Sequence, residues 1–243
     1  MGISRFFCPE GVASGVRTAL PEQAAHHAAR VLRLREGDSV SVFDGRGGEF
    51  AATILQLDKR GVIIQVGEHR AGERESPLRV TLAQAISAGD KMDFTLQKAT
   101  ELGIARIQPL ESERSVVRLS GERAEKRVAH WQGVVVAACE QCGRNSVPPV
   151  APIRRFADWL GDPPDGGLRL MLSPDAQTRL CDLPKPECPV TLLTGPEGGF
   201  SAAEAAAARH ANFMPVRLGA RILRTETAAL AALAAMQTLW GDF

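Results

Sequence analysis

Hydrophobic and polar positions along this chain keep two rhythms. In the first part, short runs alternate: Ser39–Phe43 reads as a strand, Asp44–Gly48 as a turn, and Glu49–Leu55 and Val62–Val66 as further strands. Short strands separated by glycine-rich turns predict a small β-barrel. One helix is inserted, from about Glu22 to Leu32, with Pro21 in its first turn, where a missing N–H costs nothing. The polar stretch Arg70–Pro77 reads as a linker.

From Leu78 the rhythm changes. Strand Leu78–Ile86, helix Lys91–Leu102, strand Ile104–Leu110 and a long helix Glu122–Glu140 follow in order. Strands Leu168–Leu172 and Val190–Thr194 come next, then a helix from Ala202, a strand at Phe213–Leu218 and a last helix from Thr225. Pro163–Gly167 reads as a local loop. Alternating strands and helices predict an α/β domain built on a mainly parallel sheet. No internal repeat is visible.

Two segments carry candidate chemistry. Leu193-Thr-Gly-Pro-Glu-Gly-Gly-Phe-Ser201 follows an apolar strand and precedes a helix, which Ser201 and Glu204 start with a capping box. Glycines at the carboxyl end of a buried strand let a ligand lie against the backbone. No Gly-Lys-Ser/Thr or G-x-G-x-x-G pattern is present, so this is neither a Walker loop nor a dinucleotide fingerprint. A tight turn that binds nothing would share the spacing. The second segment is Leu218-Gly-Ala-Arg-Ile-Leu-Arg-Thr-Glu-Thr-Ala228, where Thr225 is a suitable N-cap and Glu226 suits the positive end of the last helix. Taken singly, Arg221 and Arg224 read equally well as surface ion-pair partners.

Composition adds little to this. The chain has 243 residues, 44% hydrophobic and 23% charged, with a net charge of +1. That suffices for one large domain or two modest ones. Between Arg106 and Arg155, nine basic residues face five acids, a local excess that suits nucleic acid without requiring it. No apolar run approaches membrane-spanning length, and the opening residues lack a signal-peptide pattern, so a soluble, unexported, cytoplasmic protein is expected. The odd count of five cysteines does not suggest a disulfide framework. Cys139 and Cys142 have C-x-x-C spacing but sit in an apolar helix, which favours buried thiols over zinc; no metal is expected.

Together the two segments resemble the RsmE family, the 16S ribosomal RNA uracil-N3 methyltransferases. The resemblance extends along the chain through Arg5-Phe-Phe, His27-x-x-x-Val-Leu-Arg33, Gly37-Asp, Phe43-Asp-Gly45, Gln97-Lys-Ala-Thr-Glu-Leu-Gly103, Glu113-Arg-Ser115, and Glu140-Gln-Cys-Gly-Arg144 with Pro148. It implies a PUA-like β-barrel over residues 1–72 that binds RNA. It also implies a SPOUT domain over 76–243, an α/β fold with a trefoil knot that binds S-adenosylmethionine and works as a homodimer. The partner implied is 16S ribosomal RNA or the small ribosomal subunit, without a membrane.

On that resemblance the cofactor would be held by Leu172, Thr194, Gly195, Pro196, Glu197, Gly198, Gly199, Leu218, Gly219, Ile222, Leu223 and Thr225. Arg224 would stabilise charge on the uracil, and the proton acceptor would be Glu101, Glu197, Glu226 or water. RNA would meet Arg5, His27, Arg33, Arg114, Glu140, Gln141, Arg144 and Arg221. Glu140 and Arg144, four apart on a helix, would pair with each other on the simpler reading. Two other functions fit the same segments: a SPOUT enzyme for another ribosomal or transfer RNA nucleotide, and an RNA-binding assembly factor without catalysis.

Overall fold

The structure, a computed structural model, describes residues 3–161 and 166–243. The loop expected at Pro163–Gly167 lies partly outside them. The chain divides into two compact units, one reaching to Glu75 and including Cys139–Val147, the other comprising Ser76–Ala138 and Pro148–Phe243.

The first unit is a five-stranded sheet of β1 (Ser4–Phe7), β2 (Arg17–Ala19), β3 (Ser39–Phe43), β4 (Glu49–Asp58) and β5 (Gly61–Arg70), in the order β1-β3-β4-β5-β2. Only the β1–β3 pair is parallel. Alternation sends Val40, Val42, Val62, Ile64 and Val66 to one face, where they form a core with Phe6, Leu20 and Ile54. Each such side chain contributes roughly 1.5–3 kcal/mol on burial.

The helix expected from Glu22 to Leu32 is α-helical only over Glu22–His26 (α1). His27–Val31 widens into a π turn, closed by Leu32 N–H donating to His27 O at 3.0 Å. Arg33 then enters the left-handed region at φ 53°, which ends the segment. Three alanines of this segment, Ala24, Ala25 and Ala28, are buried in the core and let it lie close to the sheet.

Cys139–Val147 is attached to this unit by hydrogen bonds. The Arg5 guanidinium donates to Glu49 Oε2 (2.9 Å), Cys139 O (2.9 Å), Arg144 O (3.3 Å) and Asn145 Oδ1 (2.5 Å). It also lies 4.6 Å from the centre of the Phe43 ring. Asn145 Nδ2 donates to Gly72 O at 2.7 Å. By packing, this stretch thus goes with the residues up to Glu75, although it falls inside the span 76–243 expected of the second domain.

The second unit is a six-stranded, all-parallel sheet: β6 (Val80–Ala85), β7 (Arg106–Glu111), β8 (Arg154–Arg155), β9 (Leu168–Leu172), β10 (Val190–Thr194) and β11 (Met214–Val216). The order is β11-β9-β10-β6-β7-β8. Every residue of β10 is buried, as expected of a central strand in a parallel sheet.

Its helices are α2 (Lys91–Glu101), α3 (Gly121–Cys142, whose last turn belongs to the first unit), α4 (Phe156–Leu160), α5 (Ala202–His210) and α6 (Thr225–Trp240). Phe156, Trp159, Ala208 and Phe213 join Ala83, Leu110, Met171 and Leu193 in one core cluster. Met92, Leu96 and Ala99 of α2 and Ala229, Leu233 and Met236 of α6 are buried as well, and the two helices pack together. Buried Gln237 is satisfied at both ends: Ser76 Oγ donates to its Oε1 and its Nε2 donates to Leu102 O, each at 2.7 Å. Among the described residues no helix is long and apolar enough to cross a membrane.

Candidate functional site

A cavity of about 700 Å³ lies at the carboxyl ends of β9, β10 and β11. The chain places β10 on one side of β9 and β11 on the other. Open parallel sheets bind ligands at the carboxyl edge where the strand order reverses in this way.

The loop Gly195–Gly199 forms one wall. Gly199 N–H donates to Pro196 O at 2.9 Å, and Gly199 sits at φ 66°, a conformation that disfavours any side chain. Ser201 then starts α5 with the expected capping box: Glu204 N–H donates to Ser201 Oγ, and Ser201 N–H donates to Glu204 Oε2.

The loop is held from three directions. Thr225 Oγ1 donates to Gly195 O at 2.6 Å and accepts from Gln84 Nε2 at 3.1 Å. Gln84 Oε1 in turn accepts from Thr194 Oγ1 at 2.6 Å, completing a buried chain that ties β6, β10 and α6 together. The second hold is through Glu197 Oε1, which accepts from Ala88 N–H and from Lys91 Nζ, both at 3.1 Å. Partial burial pushes the Glu197 carboxyl up, but its own N–H, the Lys91 ammonium and Ala88 N–H outweigh that and leave it below the usual range. The third hold is Arg114, which donates to Gly198 O at 2.9 Å.

All twelve residues expected to hold a cofactor line this cavity, from Leu172 through Gly195–Gly199 to Thr225. Thr225 does so differently from expectation: Arg224 is the N-cap, without a side-chain capping bond, and Thr225 is the first helical residue. Arg221 and Arg224 also line the cavity, both exposed, and neither side chain has a hydrogen bond or ion pair among the described residues. Lys91, Arg209, Arg217 and Ser173–Asp175 are lining residues that the sequence reading missed. Ser173–Asp175 follows the end of β9, so the rule that flagged the glycine loop applied there too.

Two expected proton acceptors stand apart from the cavity. Glu101, in the last turn of α2, pairs with Lys98 at 2.7 Å. Glu226 lies in the first turn of α6, its Oε2 buried and without a hydrogen-bond partner among the described residues.

Several residues expected at RNA have partners within the first unit. Arg144 is 5% exposed; its Nη2 lies 2.5 Å from Glu75 Oε2, and its Nε donates to the same carboxylate. Among the described residues the ion pair of Arg144 is with Glu75 rather than with the expected Glu140. Glu140 Oε1 accepts from Phe7 N–H at 3.0 Å, and burial pushes its carboxyl up against the opposing pull of that bond, His27 and Arg5. Arg5 is committed to the bonds given above. His27 meets the Phe6 ring edge-on at 6.2 Å. Arg33 and Gln141 are exposed.

Gln141 lines a second cavity, of about 550 Å³, within the first unit, on the sheet face that carries Ser39, Ser41, Thr53 and Gln65. Among the described residues no three His, Cys, Asp or Glu side chains gather as a metal would require. The Cys139 thiol is pushed up to about 12, chiefly by burial.

The sequence profile of an RNA methyltransferase domain matches residues 74–237, and that of an RNA methyltransferase PUA domain matches residues 20–67. Ribosomal RNA small subunit methyltransferase E of Buchnera aphidicola (subsp. Schizaphis graminum) is 34% identical over 92% of this chain and 91% of its own. The Bacillus subtilis protein of the same name is 32% identical over 88% and 87%. Among solved structures, ribosomal RNA small subunit methyltransferase E from Neisseria gonorrhoeae, bound to S-adenosyl methionine, is 45% identical over the whole of both chains, with a TM-score of 0.92. A putative methyltransferase from Legionella pneumophila, in complex with bound S-adenosylmethionine, is 36% identical over both whole chains, with a TM-score of 0.96. Likeness over the full length, in sequence and in fold, leaves one conclusion: this chain is an RNA methyltransferase and belongs to the ribosomal RNA small subunit methyltransferase E family.

Proposed function

We propose that this chain uses S-adenosylmethionine to methylate N3 of a single uridine in the decoding region of 16S ribosomal RNA, as a cytoplasmic homodimer. The observation that carries the chemistry is a cavity with a backbone wall on one side and two uncommitted guanidinium groups, Arg221 and Arg224, on the other.

The cavity suits such a cofactor. Beside Gly199 and Gly219 the space a Cβ would enter is open, and Leu172, Ile222 and Leu223 give apolar walls for an adenosine. When bound, the cofactor supplies an electrophilic methyl group. The protein's own residues do the rest. The Gly195–Gly199 backbone and Thr194 hold the cofactor, and Arg221 and Arg224 hold the uracil oxygens, where charge gathers as N3 loses its proton. A base stacked in a helix is out of reach, so the uridine enters unstacked.

No lining glutamate is available as a base. Glu197 is engaged by Lys91 and Ala88, and its lowered pKa makes it a weak acceptor. The proton passes to solvent or to Asp175, the other carboxyl at the cavity, and the arginines make its departure easier. Glu197→Gln should keep turnover within about threefold, since an amide oxygen still accepts from Ala88. A loss beyond about a hundredfold would make Glu197 the base.

Ile222 is 84% exposed at the cavity, an apolar side chain for a second copy to cover. The test of the whole reading is nucleoside mass spectrometry of small-subunit RNA methylated in vitro. 3-Methyluridine supports it; label in a 2′-O-methyl or 5-methyl nucleoside overturns the N3 assignment and leaves the cofactor site standing.

A further inference from the structure

The run Glu113-Arg-Ser115 carries part of the family resemblance, yet nothing in the chemistry above uses it. It occupies the turn after β7, and each of its residues has a defined partner. Ser115 Oγ accepts from Ser112 N–H and lies 2.9 Å from Ser112 Oγ, closing a buried turn. Glu113 N–H donates to Glu204 Oε1 at 2.7 Å, while the other oxygen of that carboxylate caps α5 through Ser201 N–H. Arg114 then projects onto the glycine loop. Its Nη1 donates to Gly198 O, and its Cβ and Cδ lie 3.5 Å from where a Cβ on Gly198 would be. The turn thus grips both the loop and the start of the helix behind it.

We propose that Arg114 is a positioning residue for the cofactor loop rather than a contact for RNA. The inference rests on the reading that the Gly195–Gly199 loop borders S-adenosylmethionine. A guanidinium is a planar, permanently charged donor, so it holds a carbonyl in one orientation better than a single-point ammonium does. Fixing the Gly198 carbonyl fixes the neighbouring N–H groups and the width of the slot between this loop and Leu218–Leu223. Arg114 is exposed, so truncating it buries no unpaired group and the fold should survive.

The test is calorimetry with S-adenosylhomocysteine, together with RNA binding by the full-length protein and steady-state kinetics. Arg114→Ala should weaken S-adenosylhomocysteine about five- to tenfold and raise KM for S-adenosylmethionine by a similar factor. At saturating cofactor, kcat should stay within about twofold, as should RNA affinity, with the melting temperature unchanged. Arg114→Lys, which keeps one donor, should recover part of the loss. Unchanged S-adenosylhomocysteine binding with weakened RNA binding would overturn the proposal. Failure of the unsubstituted protein to bind S-adenosylhomocysteine would instead overturn the cofactor reading beneath it.

Discussion

The two units use arginine in opposite ways. In the first, the Arg5 side chain is 10% exposed and that of Arg144 is 6% exposed, and both are spent on internal acceptors. In the second, Arg221 and Arg224 are exposed at the cavity and have no partner among the described residues. All four belong to motifs that carry the family resemblance, so motif membership alone does not distinguish a joist from a tool. Burial and partners do. A guanidinium whose donors are already used has nothing to offer a ligand, whereas an idle one at a cavity has its full set of five donors.

The contrast breaks most visibly at Arg144. Arg144→Ala should lower stability by about 2–3 kcal/mol, because the Glu75 carboxylate loses its partner in a partly buried site. Activity per folded molecule, measured well below the melting transition, should remain. Thermal melts alongside titrated turnover check both. A variant of unchanged stability with weakened RNA binding would show that Arg144 faces RNA after all.

Next in size is Arg224. Arg224→Ala should leave the melting temperature unchanged and cut turnover roughly a hundredfold, about 2.7 kcal/mol of transition-state stabilisation, with little change in S-adenosylhomocysteine affinity. Equal losses in cofactor affinity and turnover would place the guanidinium on the cofactor instead of the uracil.

The same contrast marks the limit of what the chain reveals before folding. The glycine loop, its capping box and the long helices are local: each rests on residues within a few positions, and each is found where the pattern put it. Arg5 meets Asn145 across 140 positions and Arg144 meets Glu75 across 69, and no periodicity encodes either. The capture of Cys139–Val147 by the first unit follows from those bonds, so it was equally hidden. Strand β2 has three residues, too few to display alternation. Thr225 was legible as a residue that satisfies a helix-end group; that its hydroxyl reaches Gly195 O instead depends on the return of the chain from β11.

The smallest expected effect compares two carboxyls, one in each unit. Glu140 is shifted up because burial outweighs Phe7 N–H, His27 and Arg5, whereas Glu197 is shifted down by Lys91 and two N–H groups in spite of its burial. With its folded pKa above the unfolded value, Glu140 binds more protons in the native state than in the unfolded one. Its favourable contribution is therefore full below the ordinary carboxylate range and is lost as pH rises through the raised value. Glu197 has the opposite sign: its contribution is present above the ordinary range and lost as pH falls through the lowered value. Glu140→Gln keeps an oxygen for Phe7 N–H and removes the charge. Relative to the unsubstituted protein it should gain stability, by less than about 1 kcal/mol, between pH 4 and pH 7.5. Urea melts of both proteins at the two pH values give that difference directly. A variant that loses ground as pH rises would mean that attraction to Arg5 and His27 outweighs the cost of burying Glu140, and the two carboxyls would then share a sign.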